Sequence, residues 1–173
     1  RLKDKLKNIK KIKLSQLMDI ENLFQEEYKK YPDNYMMVVR DRKYIKWRYV
    51  DNPYHKYYLF GCYSNKKLKG FIIFNILNFE THKNLEIKDI LFQDNETLDS
   101  LLLFTFDWSL KNKISIATLW EDKIFMKKSN AATLVRNGFF RIRILNKKVF
   151  IQSKLKNSKK SVNLELKKYL ERT

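Results

Sequence analysis

A chain of 173 residues with 44% apolar content is the size of one ordinary domain and can bury a real core, which excludes bulk disorder. Its formal net charge of +18 invites a phosphate-bearing partner, but the excess is mostly lysine, set among many Asn and Ile with Gly 3 and Pro 2. AT-rich codon bias yields that pattern unaided, so the charge alone assigns no nucleic-acid role.

Residues 1–7 are a charged lead-in that opens on Arg1 rather than methionine, and a further segment is expected upstream. "IKKIKL", Ile9 to Leu14, alternates apolar and basic residues as an edge strand does. Ser15 is then placed to cap a helix carrying Leu17, Ile20, Phe24 and Tyr28 on one stripe. "YPDN", Tyr31 to Asn34, reads as a turn. "DRKYIKWRYVDNP" follows as a second helix, capped by Asp41 and stopped by Pro53.

From Tyr57 the period changes to that of strands. Tyr57 to Asn65 and Lys66 to Phe79 form an antiparallel hairpin. The single cysteine, Cys62, lies in its first strand, so there is no disulfide framework and no cysteine set for zinc. A buried, inert thiol is the expectation, because the two histidines, His55 and His82, lie in no nucleophile motif. No metal site is expected. In a third strand, Leu85 to Phe92, alternation puts Leu85, Ile87, Asp89 and Leu91 on one face, with Glu86, Lys88, Ile90 and Phe92 on the other.

Gln93 to Lys113 is a third helix, capped by Asp94 or Asn95, with Leu98, Leu101, Leu102, Thr105, Trp108 and Ser109 at helical spacing. Ile114 to Trp120 is a short buried strand, and a helix through "NAATLVRN" ends at Gly138. "FFRIRIL" and "VFIQSK" make a last hairpin around Asn146 and Lys147. Residues 1–154 are read as one domain and 155–173 as a basic, partly helical tail. No apolar run reaches the ~18 residues of a membrane span, and with no secretion signal a cytoplasmic location is the default. The order of elements is that of a mixed α/β (α+β) fold around one central, mostly antiparallel sheet flanked by helices on both faces.

With the residues on it, this succession resembles the GNAT superfamily of acyl-CoA N-acyltransferases. "DRKYIKWRYVDNP" with "YYLFGCY" is similar to a "WRY…P…Y" segment of a bacterial subgroup, and "NAATLVRNGFF" to the family's "N…A…L…GF". The resemblance implies a transferase using acetyl-CoA or another acyl-CoA on an amine of a sugar or small metabolite. It implies Arg48 and Tyr49 near the acceptor, or else Tyr44 and Trp47 packed inward with Arg48 on a neighbouring carboxylate or carbonyl. Leu91, Phe92, Gln93, Asn95, Glu96 and Thr97 would hold the cofactor, with Asn130 as a further contact.

The family's "Q/R-x-x-G-x-G/A" falls on "QDNETL", where Glu96 and Leu98 replace the small residues and Asp94 adds another acid. The tyrosine acid expected four residues before Gly138 is Leu134. Asp89 and Glu121 remain as acid or base candidates. Asp89, among apolar neighbours, calls for a raised pKa or a partner such as Arg48 or Lys88. Two alternatives stand beside the enzyme: a degenerate GNAT domain serving a catalytic GNAT half N-terminal to this chain, and a basic module for anions or nucleic acid.

Overall fold

The computed structural model describes residues 6–31, 38–114, 116–120, 139–144 and 147–153. Strand β1 (Ile9–Lys11) leads through a 3-10 turn (Leu14–Gln16) into helix α1 (Leu17–Tyr28). Helix α2 (Arg42–Ile45) widens into a π turn (Lys46–Val50). Strands β2 (Tyr57–Ser64), β3 (Lys67–Asn78) and β4 (Lys83–Phe92) precede helix α3 (Asn95–Lys111). Strands β5 (Ile116–Trp120), β6 (Phe139–Ile144) and β7 (Lys147–Ser153) complete one seven-stranded sheet in the order β1-β2-β3-β4-β5-β7-β6. Its neighbours are antiparallel except β4 and β5, which run parallel.

The hairpin joining β2 and β3 turns on Asn65 and Lys66, both at positive φ (49° and 63°), the geometry that matches the natural twist of the two strands. Ser15 does not cap the first helix. It sits inside the 3-10 turn, and the Gln16 side chain instead accepts from the Lys13 N–H at 3.0 Å. Asp41 and Asp94 do cap their helices, each accepting at 2.7 Å from the N–H three residues on. The last strand begins at Lys147, two residues earlier than expected.

Each sheet face carries its own core. Beneath α3, Phe74, Leu85, Ile87, Leu98, Leu101 and Leu102 are buried together. Beneath α1 and α2 lie Ile20, Leu23, Ile45, Leu59, Phe71 and Ile73. Full burial of each such side chain contributes about 1.5–3 kcal/mol. The expected facing of β4 is overturned midway. Ile73 pairs with Asp89 but Phe74 pairs with Ile87, so Lys88 is an extra residue, a β-bulge. Leu85 and Ile87 therefore face α3 together with Ile90 and Phe92, whereas Leu91 packs on the opposite side, as does Asp89.

Helix α3 lies close against β3 at Gly70. A Cβ there would meet Thr97 Cγ2 at 2.6 Å and the Leu91 carbonyl oxygen at 2.9 Å. Gly70→Ala is expected to lower stability by about 1–3 kcal/mol in urea titration, through overpacking between helix and sheet. An unchanged midpoint would mean α3 can slide off without cost.

Candidate active site

The sheet parts between β4 and β5. The two strands pair from Asn84 with Ile116 up to Ile87 with Leu119. Beyond Ile87, among the described residues, β4 runs on to Phe92 paired with β3 alone, while Trp120 of β5 pairs only with β7. Among the described residues, nothing pairs with that edge of β4 from Lys88 to Phe92, leaving a row of backbone donors and acceptors along one wall of a wedge.

Helix α3 starts where that wall ends, so the positive end of its dipole stands at the mouth. Of its first N–H groups, that of Thr97 is taken by the Asp94 carboxylate and that of Leu98 by the Asp94 carbonyl at 3.1 Å. Those of Asn95 and Glu96 have no acceptor among the described residues and remain available to an anion. Asp94 is thus committed to capping, while the Glu96 side chain is exposed. Gln93 is spent on the scaffold: its side-chain amide donates to Glu26 of α1 at 2.9 Å, and its N–H donates to the Lys69 carbonyl at 3.0 Å. Phe92 packs against the core under α3 and Leu91 against the opposite one.

On the α1/α2 face, the bulge aims Asp89 into a buried ionic cluster. The Nε of Arg40 donates to both carboxylate oxygens at 2.9 Å, and the Tyr49 hydroxyl donates to one of them at 3.4 Å. Arg48 donates in turn to the Tyr49 hydroxyl at 3.3 Å, with its guanidinium 5.6 Å from that ring. The expected partner of Asp89 was Arg48 or Lys88; it is Arg40, just before the helix. Arg48 holds a hydroxyl, not a carboxylate, and Trp47 is 67% exposed rather than packed. Burial is the largest single influence on the Arg40 guanidinium and weakens it, but the charge and hydrogen bonding of Asp89 together with the nearby Tyr49 and Tyr44 outweigh it, so its pKa rises. Both carboxylate oxygens of Asp89 are thus engaged by Arg40, and one also by Tyr49, which fixes the carboxylate in place on this face. Losing one partner of such a pair costs about 3–5 kcal/mol, because the other charge stays buried.

The same face carries a polar row that the sequence reading missed. Asn75, Asn84, Glu86 and Thr118 are all buried, at 2%, 1%, 5% and 7% exposure, beside the last rungs before the wedge opens. Glu86 pairs with Lys88 at 2.5 Å, whereas among the described residues the side-chain oxygens of Asn75 and Asn84 lack partners. Alternation hides such a row, since a carboxylate in a strand ordinarily faces solvent. Burial is what separates this one from a surface acid. Cys62 is buried, and burial, followed by the charges of Asp94 and Glu96, pushes its thiol pKa up, as suits an inert thiol. Among the described residues, no cluster of His, Cys, Asp and Glu forms a metal site, and no helix is long and apolar enough to cross a membrane. Glu121, Asn130, the Tyr31 to Asn34 turn past Tyr31, the helix ending at Gly138 and the tail 155–173 lie outside the described residues.

This architecture is shared by solved N-acetyltransferases. The PaiA N-acetyltransferase of Thermoplasma acidophilum, crystallised with coenzyme A, superposes with a TM-score of 0.61 at 16% identity, over 84% of this chain and 97% of that one. An N-acetyltransferase from Staphylococcus aureus gives 0.60 at 15% identity, over 84% and 96%. A ribosomal-protein alanine acetyltransferase from Vibrio fischeri gives 0.60 at 15%, over 86% and 93%. No protein-family model and no curated protein matches the chain. The chain has the GNAT N-acetyltransferase fold.

The Tyr49 hydroxyl yields a pH prediction. Burial, then the charge of Asp89, raises its pKa above the ordinary 10.0, and Tyr63 is pushed up to about 12, chiefly by burial. Above the ordinary value the unfolded chain releases protons that the folded chain keeps, so stability is intact below it and falls as pH climbs past it. Tyr49→Phe is expected to make that alkaline loss shallower, by up to about 1.4 kcal/mol per pH unit, in urea titrations from pH ~9.5 to ~11.5. An unaltered slope would contradict the buried placement of Tyr49.

Proposed function

We propose that the protein is an acyl-CoA-dependent N-acyltransferase acting on an amine of a sugar or other small metabolite. The observation carrying this reading is the wedge that opens beyond Ile87, with the unpaired edge of β4 as its wall and the first turn of α3 at its mouth. An acyl-CoA has chemistry complementary to both: amides along its arm suit a strand edge, and its pyrophosphate suits the free N–H groups of Asn95 and Glu96. Bound there, it supplies an acyl thioester open to attack by an amine. Glu86, beside the apex of the wedge, is the carboxylate assigned to take the proton from the incoming ammonium, with Lys88 holding it in place. Asp89, Arg40 and Tyr49 keep the adjoining wall rigid.

The fold supports an acyltransferase class; the sugar or small-metabolite acceptor rests on the resemblance of the "WRY…P…Y" segment, and some proteins of this fold act on ribosomal proteins. A second reading, a non-catalytic GNAT domain, is favoured by Asp94 and Glu96 in the turn where phosphate would sit.

Thermal unfolding with acetyl-CoA separates the two. At ~100 times its dissociation constant a ligand adds about 2.7 kcal/mol, and that gain should persist in added salt. Glu86→Gln is expected to keep the gain yet lose about 100-fold or more in thiol release with an amine panel. No gain with acetyl-CoA would leave the non-catalytic reading standing.

A further inference from the structure

A second cavity, of about 750 Å³, lies on the α1/α2 face at the β1 edge of the sheet, away from β4 and α3. Its floor is apolar, formed by Ile12, Leu17, Val50 and Leu59. Lys11, Lys13, His55 and Lys56 contribute to its lining, and among the described residues no Asp or Glu does. None of these four makes an ion pair among the described residues. Tyr57 also lines it, its ring set edge-on to Tyr49 at 5.1 Å and its hydroxyl without a hydrogen-bond partner among the described residues.

The lining is organised by the backbone. The Asn52 side chain accepts from the N–H groups of Tyr54 at 3.0 Å and His55 at 2.9 Å, while its amide donates to the Arg48 carbonyl at 3.3 Å. This folds the loop after the π turn back over the cavity and fixes the place of His55. Opposite, the N–H of Ile12 donates to the Leu59 carbonyl at 3.0 Å, carrying Lys11 and Lys13 along the far side. Preorganised walls lower the ordering cost of a ligand.

We propose that this cavity binds a small organic anion: an aromatic or aliphatic body on the floor, with its carboxylate among the lysines and the Tyr57 hydroxyl. The size suits such a molecule, since ligand pockets span about 300–1,000 Å³. The charge is complementary, because cations unneutralised by any nearby acid gain most from an incoming anion. Tyr49 is shared between the cavity and the Asp89 cluster, so a bound ligand touches a residue that braces β4.

The test compares three probes that share one ring and differ in charge: indole-3-acetate, indole-3-ethanol and tryptamine, titrated by calorimetry at fixed ionic strength, first without and then with added coenzyme A. Indole-3-acetate is expected to bind about tenfold or more tighter than indole-3-ethanol, with tryptamine weakest. The exposed double substitution Lys11→Ala with Lys13→Ala should abolish the preference while keeping the unfolding temperature. Equal affinity for all three, no binding of any, a preference unchanged in the double variant, or displacement of indole-3-acetate by coenzyme A would each overturn the assignment. None of these readouts depends on acyl transfer.

Discussion

At Lys88 two events coincide on one strand. The residue stands opposite nothing in β3, and β5 has just stopped following β4 on the other side. An inserted residue reverses every side chain beyond it, because the strand period is two. Without the insertion Asp89 would lie beneath α3, among Leu98 and Leu101, where a carboxylate has no partner and a large desolvation cost. With it, Asp89 reaches Arg40 and Tyr49, and Ile90 and Phe92 take the apolar positions under the helix. The ionic cluster is thus a consequence of one irregularity in a ladder, and the wedge opens at the same residue.

The start of α3 meets two demands with one short turn. A helix gains about 1 kcal/mol from an Asp cap and a few tenths from an acid in its first turn, and Asp94 and Glu96 supply both. The same charges compete with any phosphate drawn to that end. The competition is partial, since the Asp94 carboxylate takes the Thr97 N–H while, among the described residues, those of Asn95 and Glu96 stay open. Gly70 lets the helix settle close on β3, which holds those donors beside the end of β4.

The π turn from Lys46 to Val50 divides the work of the second helix. Tyr49 points inward to Asp89 and Val50 packs against the same core, while Trp47 and Arg48 stay outside. The wider turn ends one residue before the Asn52 loop, so the same few residues end the helix and fold over the β1-edge cavity. Bulges of this kind in helices often mark functional positions.

Local patterning was enough to place most of the described elements. Strand alternation located the hairpin, helical spacing and a cap located α3, and Asp41 with Pro53 bounded the second helix, because each depends on residues within one or two turns. It also carried the resemblance to the GNAT fold, through element order more than through any one motif. The facing of Asp89 could not be read that way. An extra residue in a strand leaves the apolar pattern nearly unchanged, and Ile87 and Ile90 look alike whichever side they occupy. Arg40 as its partner, forty-nine positions away in the chain, depended on the loop before α2 folding onto the sheet. The burial of Glu86 and the parting of β4 from β5 were likewise decided by tertiary structure alone, since both arise where non-local strands meet and hydrogen bonds between strands leave no local trace in sequence.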